Sequence, residues 1–209
     1  VEVDDGCLST LVEKPQDESF GRINAGVYAF GESVFDAIDR TPRRGGELHL
    51  PDVVGTMMDD GEVSAVPTDG LWVDATYPWD LLFLTRELLA AGRVELPQRN
   101  GNVWVADSAH VHPDATLQGP VVVGPDAEIA AGAVVGPDVT VGRNATVGGN
   151  VTLENTVLDS DCRVGPGSTL VDCVASQSVS IGAGTVVPGG PSDVRVGERV
   201  FESQRLGAV

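Results

Sequence analysis

The sequence predicts two structural classes in series: an α/β region over residues 1–92 and an all-β region over residues 105–209, joined by a linker at 93–104. Two features of the later residues point to the all-β region. Large aliphatic residues stand six apart at Val105, Val111, Leu117, Val123, Ile129, Val135, Val141, Val147 and Leu153. Four residues after each comes Ala or Val, from Ala109 through to Val157. A period of six is neither the helical one nor simple alternation, and it marks an internal repeat. The third feature belongs to the earlier residues, where short apolar runs alternate with segments of helical spacing, which is the α/β pattern.

In the α/β region, Leu8 to Glu13 reads as a strand, and Arg22 to Phe30 as another carrying Ile23, Val27 and Phe30. Gly31 to Arg40 has helical spacing and leads into a turn at Thr41 to Gly46. Leu50 to Met58 reads as a second helix, with Pro51 tolerated in its first turn. Glu62 to Pro67 and Leu71 to Asp74 read as short strands. Thr76 is a candidate cap for a helix from Tyr77 to Ala91, with Gly92 just past its end. Arg93 to Asn102 is polar, contains Pro97 and Gly101, and reads as the linker.

In the ladder, each hexad has one large and one small inward position. Gly, Pro, Asp and Asn stand between them, as in Val123-Gly-Pro-Asp-Ala127, and these residues accept turn geometry. A short flat strand followed by a corner satisfies that pattern. Three hexads close one triangular coil, and stacked coils bury a continuous aliphatic column that no coil buries alone. The register slips by one after Leu153 and continues through Leu158, Val164 and Leu170. A second slip leads to Ile181 and Val187. About five coils are expected.

The chain has 31 acidic and 13 basic residues, a net charge of −18. Twelve of the basic residues are Arg, and Lys14 is the single lysine. Such a surface repels nucleic acid and anionic membranes. The aliphatic content is too high for this acidity to mean disorder. It reads instead as adaptation to a salt-rich cytoplasm, where screening suppresses self-repulsion. Cys7, Cys162 and Cys173 show neither metal spacing nor a disulfide framework, which fits a reduced cytoplasm. Cys162 takes a small inward ladder position, where Cys acts as a compact hydrophobe. No apolar run is long enough to span a membrane.

Four motifs stand in order in the first region: Val12-Glu13-Lys14-Pro15, Ile23-Asn24-Ala25-Gly26-Val27-Tyr28, Gly46-Glu47-Leu48-His49-Leu50-Pro51-Asp52, and Trp72-Val73-Asp74-Ala75-Thr76-Tyr77-Pro78-Trp79-Asp80. Together, and followed by a hexad ladder, they resemble the C-terminal half of a sugar-1-phosphate nucleotidylyltransferase catalytic domain. That family includes glucose-1-phosphate thymidylyltransferases, mannose-1-phosphate guanylyltransferases and bifunctional N-acetylglucosamine-1-phosphate uridylyltransferases. The ladder resembles the hexapeptide-repeat left-handed β-helix. The implied fold is a partial Rossmann-like α/β domain followed by an all-β left-handed parallel β-helix. The family's glycine-rich G-x-G-T-R loop is not among these residues, and its D-x-G-T-P motif reads Asp74-Ala75-Thr76-Tyr77-Pro78 here. The resemblance therefore implies a fragment lacking the nucleotide-binding loop, inactive in nucleotidyl transfer when isolated.

The resemblance implies that an oxygen of a sugar 1-phosphate attacks the α-phosphorus of a nucleoside triphosphate and releases pyrophosphate. It assigns phosphate contact to Lys14, hydrogen bonds with sugar hydroxyls to Glu13, a sugar contact to Asn24, close backbone approach of substrate to Gly26, and a Mg²⁺ carboxylate to Asp74. Lys14 also stands out on its own, because a chain that otherwise uses Arg keeps one compact ammonium there. The plain structural readings are a surface lysine, a solvated glutamate at a strand end, a bend at Asn24-Ala25-Gly26 and a helix cap at Asp74. Glu47 and Asp52 read as braces of the fold, and Trp72 and Trp79 as core.

Two other classes remain open. Hexapeptide-repeat proteins include trimeric acetyltransferases that hold acetyl-CoA between coils and use a His base. His110 and His112 are the candidates, with His49 lying elsewhere. A non-catalytic regulatory or truncated homologue is the other. The β-helix implies a homo-oligomer, with a trimer through its flat faces as one option.

Overall fold

A computed structural model describes residues 1–12, 22–61 and 63–188, with backbone alone for 193–196 and 199–202. The chain divides into two compact units, Val1–Trp72 and Val73–Val209.

The first unit opens on an antiparallel hairpin, β1 (Glu2–Asp4) and β2 (Cys7–Thr10). Asp5 and Gly6 turn it, both at positive φ (45° and 84°). Asp-Gly is a favoured pair for a two-residue turn whose twist matches the strands. Helix α1 (Ser33–Arg40) packs on α2 (Leu50–Asp60), burying Ala37, Val53 and Val54. Each of the two valines contributes roughly 1.5–3 kcal/mol of burial. Beside them the Thr41 hydroxyl donates to the Ala37 carbonyl at 2.6 Å and meets the Thr56 hydroxyl at 3.0 Å. Arg40 pairs with Asp60 across the helix ends, and that guanidinium lowers the Asp60 pKa.

Three expected strands are not realised. Residues 22–30 form an irregular run with a bend, and 71–74 pair with no strand among the described residues. Of the expected strand at 62–67, the described residues 63–67 form a bridge of Ser64 with Cys7 and no strand. A strand needs a hydrogen-bonded neighbour and a face to bury, and here Ile23 is 66% exposed and Val27 and Val66 are each 88% exposed.

The second unit begins with α3 (Asp80–Ala90). This helix starts at Asp80, not at Tyr77, and Thr76 does not cap it. The Thr76 hydroxyl donates to Asp74 Oδ1 at 2.8 Å, while the Tyr77 N–H donates to Asp80 Oδ2 at 2.6 Å. The end is as expected. Gly92 takes φ 63°, its N–H bonds the Leu89 carbonyl, and the Arg93 N–H bonds the Leu88 carbonyl.

β3 (Gln98–Asn100) pairs antiparallel with β4 (Val103–Val105), so the later part of the expected linker edges the solenoid. From there the chain winds a parallel β-solenoid of five coils. One wall stacks β4, β7 (Val121–Val123), β10 (Val139–Val141) and the later parts of β12 (Thr152–Leu158) and β14 (Thr169–Ala175). The second stacks β5 (His110–Val111), β8 (Glu128–Ile129), β11 (Thr146–Val147), β13 (Arg163–Val164) and β15 (Ser180–Ile181). The third stacks β6 (Thr116–Leu117), β9 (Val134–Val135), the early parts of β12 and β14, and β16 (Val186–Val187). β17 (Asp193–Val196) extends the first wall and pairs antiparallel with β18 (Arg199–Glu202).

The hexad residues line the inside. Val105, Val123, Val135, Val141, Val147, Leu153, Leu158 and Leu170 are fully buried. Val135 pairs with Leu153, but Val139 pairs with Thr156, so one residue drops out of the third corner between them. This is the first register slip. It moves Val157 outward and puts Thr156 inside, reversing the ladder position expected for Val157. The buried Thr156 hydroxyl is satisfied by the Glu154 carbonyl at 2.7 Å and the Leu170 carbonyl at 3.2 Å. Cys162 is inward and fully buried, as its ladder position predicts, and burial pushes its thiol pKa up.

Helix α3 lies on the first wall. Leu82 is buried against the outward Val174, with Trp79 and Val157 packed around the pair. That contact places α3 with the solenoid, so the compact units part after Trp72 and not in the linker at 93–104.

Candidate functional site

The second motif folds into a bend. Gly26 takes φ 74°, a left-handed conformation that glycine adopts without a Cβ clash. Asn24 Oδ1 accepts the Gly26 N–H at 3.0 Å, and its amide nitrogen donates to the Tyr28 hydroxyl. The Tyr28 and Phe30 rings stack at 5.5 Å. Trp72 Nε1 donates to the Ala25 carbonyl at 3.1 Å, so the fourth motif braces the second within the first unit. The Asn24 side chain thus builds the bend, and its amide keeps a second N–H for another acceptor.

A groove in the same unit is lined by Leu11, Val12, Arg44, His49, Pro51 and Asp52. The Gly45-Gly46 turn, at φ 61° and 89°, folds Arg44 back beside Glu47 through two backbone hydrogen bonds. Arg44 Nη2 donates to Asp52 Oδ1 at 2.8 Å, which bears out the expectation of Asp52 as a brace. Asp52 Oδ2 is buried and has no hydrogen-bond partner among the described residues. Glu13 and Lys14 follow Val12 directly in the chain but lie outside the described residues. Sequence reasoning singled out the motif from Gly46 to Asp52 and passed over Arg44. The signal was there, because Arg43-Arg44 is a paired cation in a chain of net charge −18.

Asp74 belongs to the second unit and is exposed. One of its oxygens accepts the Thr76 hydroxyl. A hard carboxylate oxygen is the donor Mg²⁺ favours alongside phosphate oxygens and water, so Asp74 fits as one ligand of such an ion. Among the described residues no group of three or more His, Cys, Asp or Glu is arranged to hold a metal by itself. The structure thus gathers Asn24, Gly26 and Trp72 in one unit and Asp74 with Thr76 in the other.

His110 lies on the second wall in register with Glu128. His112 is about half-exposed at the following corner, where its Nδ1 accepts the Asp114 N–H at 3.1 Å. Both belong to the first coil. Among the described residues no helix is long and apolar enough to cross a membrane.

Comparison with known proteins gives matches to both regions. The model of the nucleotidyl transferase family matches residues 1–89, and that of the GMPPB C-terminal domain matches residues 117–204. A bifunctional protein GlmU of Methanococcus maripaludis is 30% identical over 121 residues, covering 53% of this chain and 29% of that protein. A bifunctional sugar-1-phosphate nucleotidylyltransferase/acetyltransferase of Sulfurisphaera tokodaii is 31% identical over 97 residues, covering 46% of this chain and 24% of that protein. The chain therefore spans less than a third of the length of these curated relatives. Among solved structures, the acetyltransferase domain of PglB from Neisseria gonorrhoeae aligns at TM-score 0.38 and 20% identity, over 60% of this chain and 67% of that domain. Residues 1–89 are accordingly similar to the nucleotidyl transferase family, and residues 103–187 wind a parallel β-solenoid.

Proposed function

We propose that the full-length protein is a sugar-1-phosphate nucleotidylyltransferase, converting a nucleoside triphosphate and a sugar 1-phosphate to a nucleotide sugar and pyrophosphate. The observation that carries this reading is the match of residues 1–89 to the nucleotidyl transferase family. The relatives' names, which include sugar-1-phosphate nucleotidylyltransferase, support the substrate class.

In this reading the protein acts by positioning the reactants and neutralising charge. Lys14 holds the sugar phosphate and Glu13 accepts from sugar hydroxyls. The 24–26 bend offers the spare N–H of Asn24 and the bare backbone of Gly26 to the sugar. Arg44, paired with Asp52, supplies a cation to the groove lined by Leu11 and Val12. The phosphate oxygen attacks the α-phosphorus in line, the bond to the β-phosphate breaks, and pyrophosphate departs. Mg²⁺, when bound, neutralises charge on the triphosphate. Asp74 would supply one carboxylate ligand to it, with the Thr76 hydroxyl hydrogen-bonded to one of its oxygens. The setting is the cytoplasm, and the assembly a homo-oligomer.

The test is pyrophosphate release from the full-length protein, supplied with nucleoside triphosphates and sugar 1-phosphates. Lys14→Arg and Asp74→Asn should each lower turnover about a hundredfold, in the range for losing one transition-state contact. The melting temperature should barely move. Full activity in both variants overturns the assignment. Release of coenzyme A from acetyl-CoA with an amino sugar phosphate, lost on His110→Ala or His112→Ala, would instead favour acyl transfer by the solenoid.

A further inference from the structure

Asp74 lies at one end of a short turn, residues 74–80, whose other end packs on the solenoid wall. Val174, outward on the first wall, is buried by Leu82 of α3, with Trp79 and Val157 packed around the pair. The Trp79 ring stacks on Tyr77 with centroids 4.6 Å apart and planes 11° from parallel. The Tyr77 N–H is held by Asp80 Oδ2 at 2.6 Å. Thr76, next in the chain, donates its hydroxyl to Asp74 Oδ1 at 2.8 Å. Residues 74–80 are thus a short turn pinned at one end by aromatic packing on a rigid β wall.

We propose that Trp79 and Tyr77 are positioning residues for Asp74, seating the 74–80 turn on the solenoid so that the carboxylate is held in one orientation. The inference rests on the reading of Asp74 as a cation ligand and adds a structural duty for the solenoid in nucleotidyl transfer. It follows from the cost of ordering. An exposed carboxylate on a free turn would pay conformational entropy each time it bound a cation. A turn clamped by an indole stack and an apolar anchor has met that cost on folding. Trp79 packing at Val174, the Tyr77–Trp79 stack, the peptide link from Tyr77 to Thr76 and the Thr76–Asp74 hydrogen bond connect the wall to the carboxylate.

The experiment uses the full-length protein and Mn²⁺ as probe, followed by water-proton relaxation, together with the Mg²⁺ dependence of pyrophosphate release. Trp79→Ser should weaken Mn²⁺ binding and raise the Mg²⁺ concentration for half-activation by about tenfold, the lower end of outer-sphere effects on metal affinity. The KM for sugar 1-phosphate should stay within about twofold, and excess Mg²⁺ should restore turnover. Trp79→Phe, which keeps stack and anchor, should behave as the parent. Tyr77→Ser removes an exposed ring and tests the same path where Trp79→Ser fails to fold. If Tyr77→Ser and any folded Trp79→Ser leave Mn²⁺ affinity unchanged while Asp74→Asn weakens it, the positioning role is overturned and the site reading stands. If Asp74→Asn changes neither binding nor turnover, the reading of Asp74 falls, and this inference with it.

Discussion

The Asn155 amide donates to the Asp172 carboxylate at 2.6 Å, joining the third corners of successive coils. Both residues hold left-handed backbone, at φ 41° and 51°. These are the corners that lack a residue relative to the coils before them, so each must turn the chain sharply. Asn and Asp tolerate this conformation because their short polar side chains bond locally.

Asn155→Ala should therefore destabilise the protein by about 1–2 kcal/mol, combining left-handed strain with a lost charge-assisted bond. Asn155→Gly should cost less, since glycine meets the strain without the bond. Denaturant melts of the two variants check the order.

Gly136 tests how closely the coils stack. It takes φ 112°, and a Cβ there would penetrate the Gln118 carbonyl oxygen and approach Val121 Cγ2 to 2.7 Å. Gly136→Ala should cost about 2–4 kcal/mol, because backbone of the coil below cannot yield. Gly149→Ala, whose Cβ would sit 3.3 Å from the Ala131 carbonyl oxygen, should cost visibly less in the same melt.

Asp161 has its pKa lowered, first by the Asn144 amide at 2.7 Å and then by the Gln177 amide at 3.4 Å. A depressed carboxylate contributes stability above its ordinary value of 3.8 and loses it as pH falls through the lower folded value. Asn144→Gly keeps the left-handed corner and removes the donor. It should raise the Asp161 pKa toward 3.8 by NMR titration. The stability gap between parent and variant should close below that pH.

The net charge of −18 gives a salt prediction. Self-repulsion among exposed carboxylates is screened within about 3 Å at 1 M ionic strength. The melting temperature should rise between 0.1 and 2 M KCl, and a flat profile would refute the salt-adaptation reading.

The hexad ladder was legible because a β-solenoid writes its geometry into local period: most inward positions are aliphatic, and the corners accept turn geometry. Both helices of the first unit were legible for the same local reason, through spacing and the position of Pro51. The hairpin at Asp5-Gly6 carried a usable signal that went unread. The candidate site was legible as motifs but not as contacts. Nothing local in Trp72 announces its bond to the Ala25 carbonyl, 47 residues away.

By itself, then, the sequence determined the stacked coils, their number and the slip in their register. It left open where the slip is absorbed. Only tertiary pairing decided that Thr156 turns in and Val157 turns out, because the corner residue that drops out is defined by the strand beneath it. Tertiary packing also decided that α3 belongs with the solenoid. An amphipathic helix states that it needs an apolar partner but not which one, and here that partner is the outward face of Val157 and Val174.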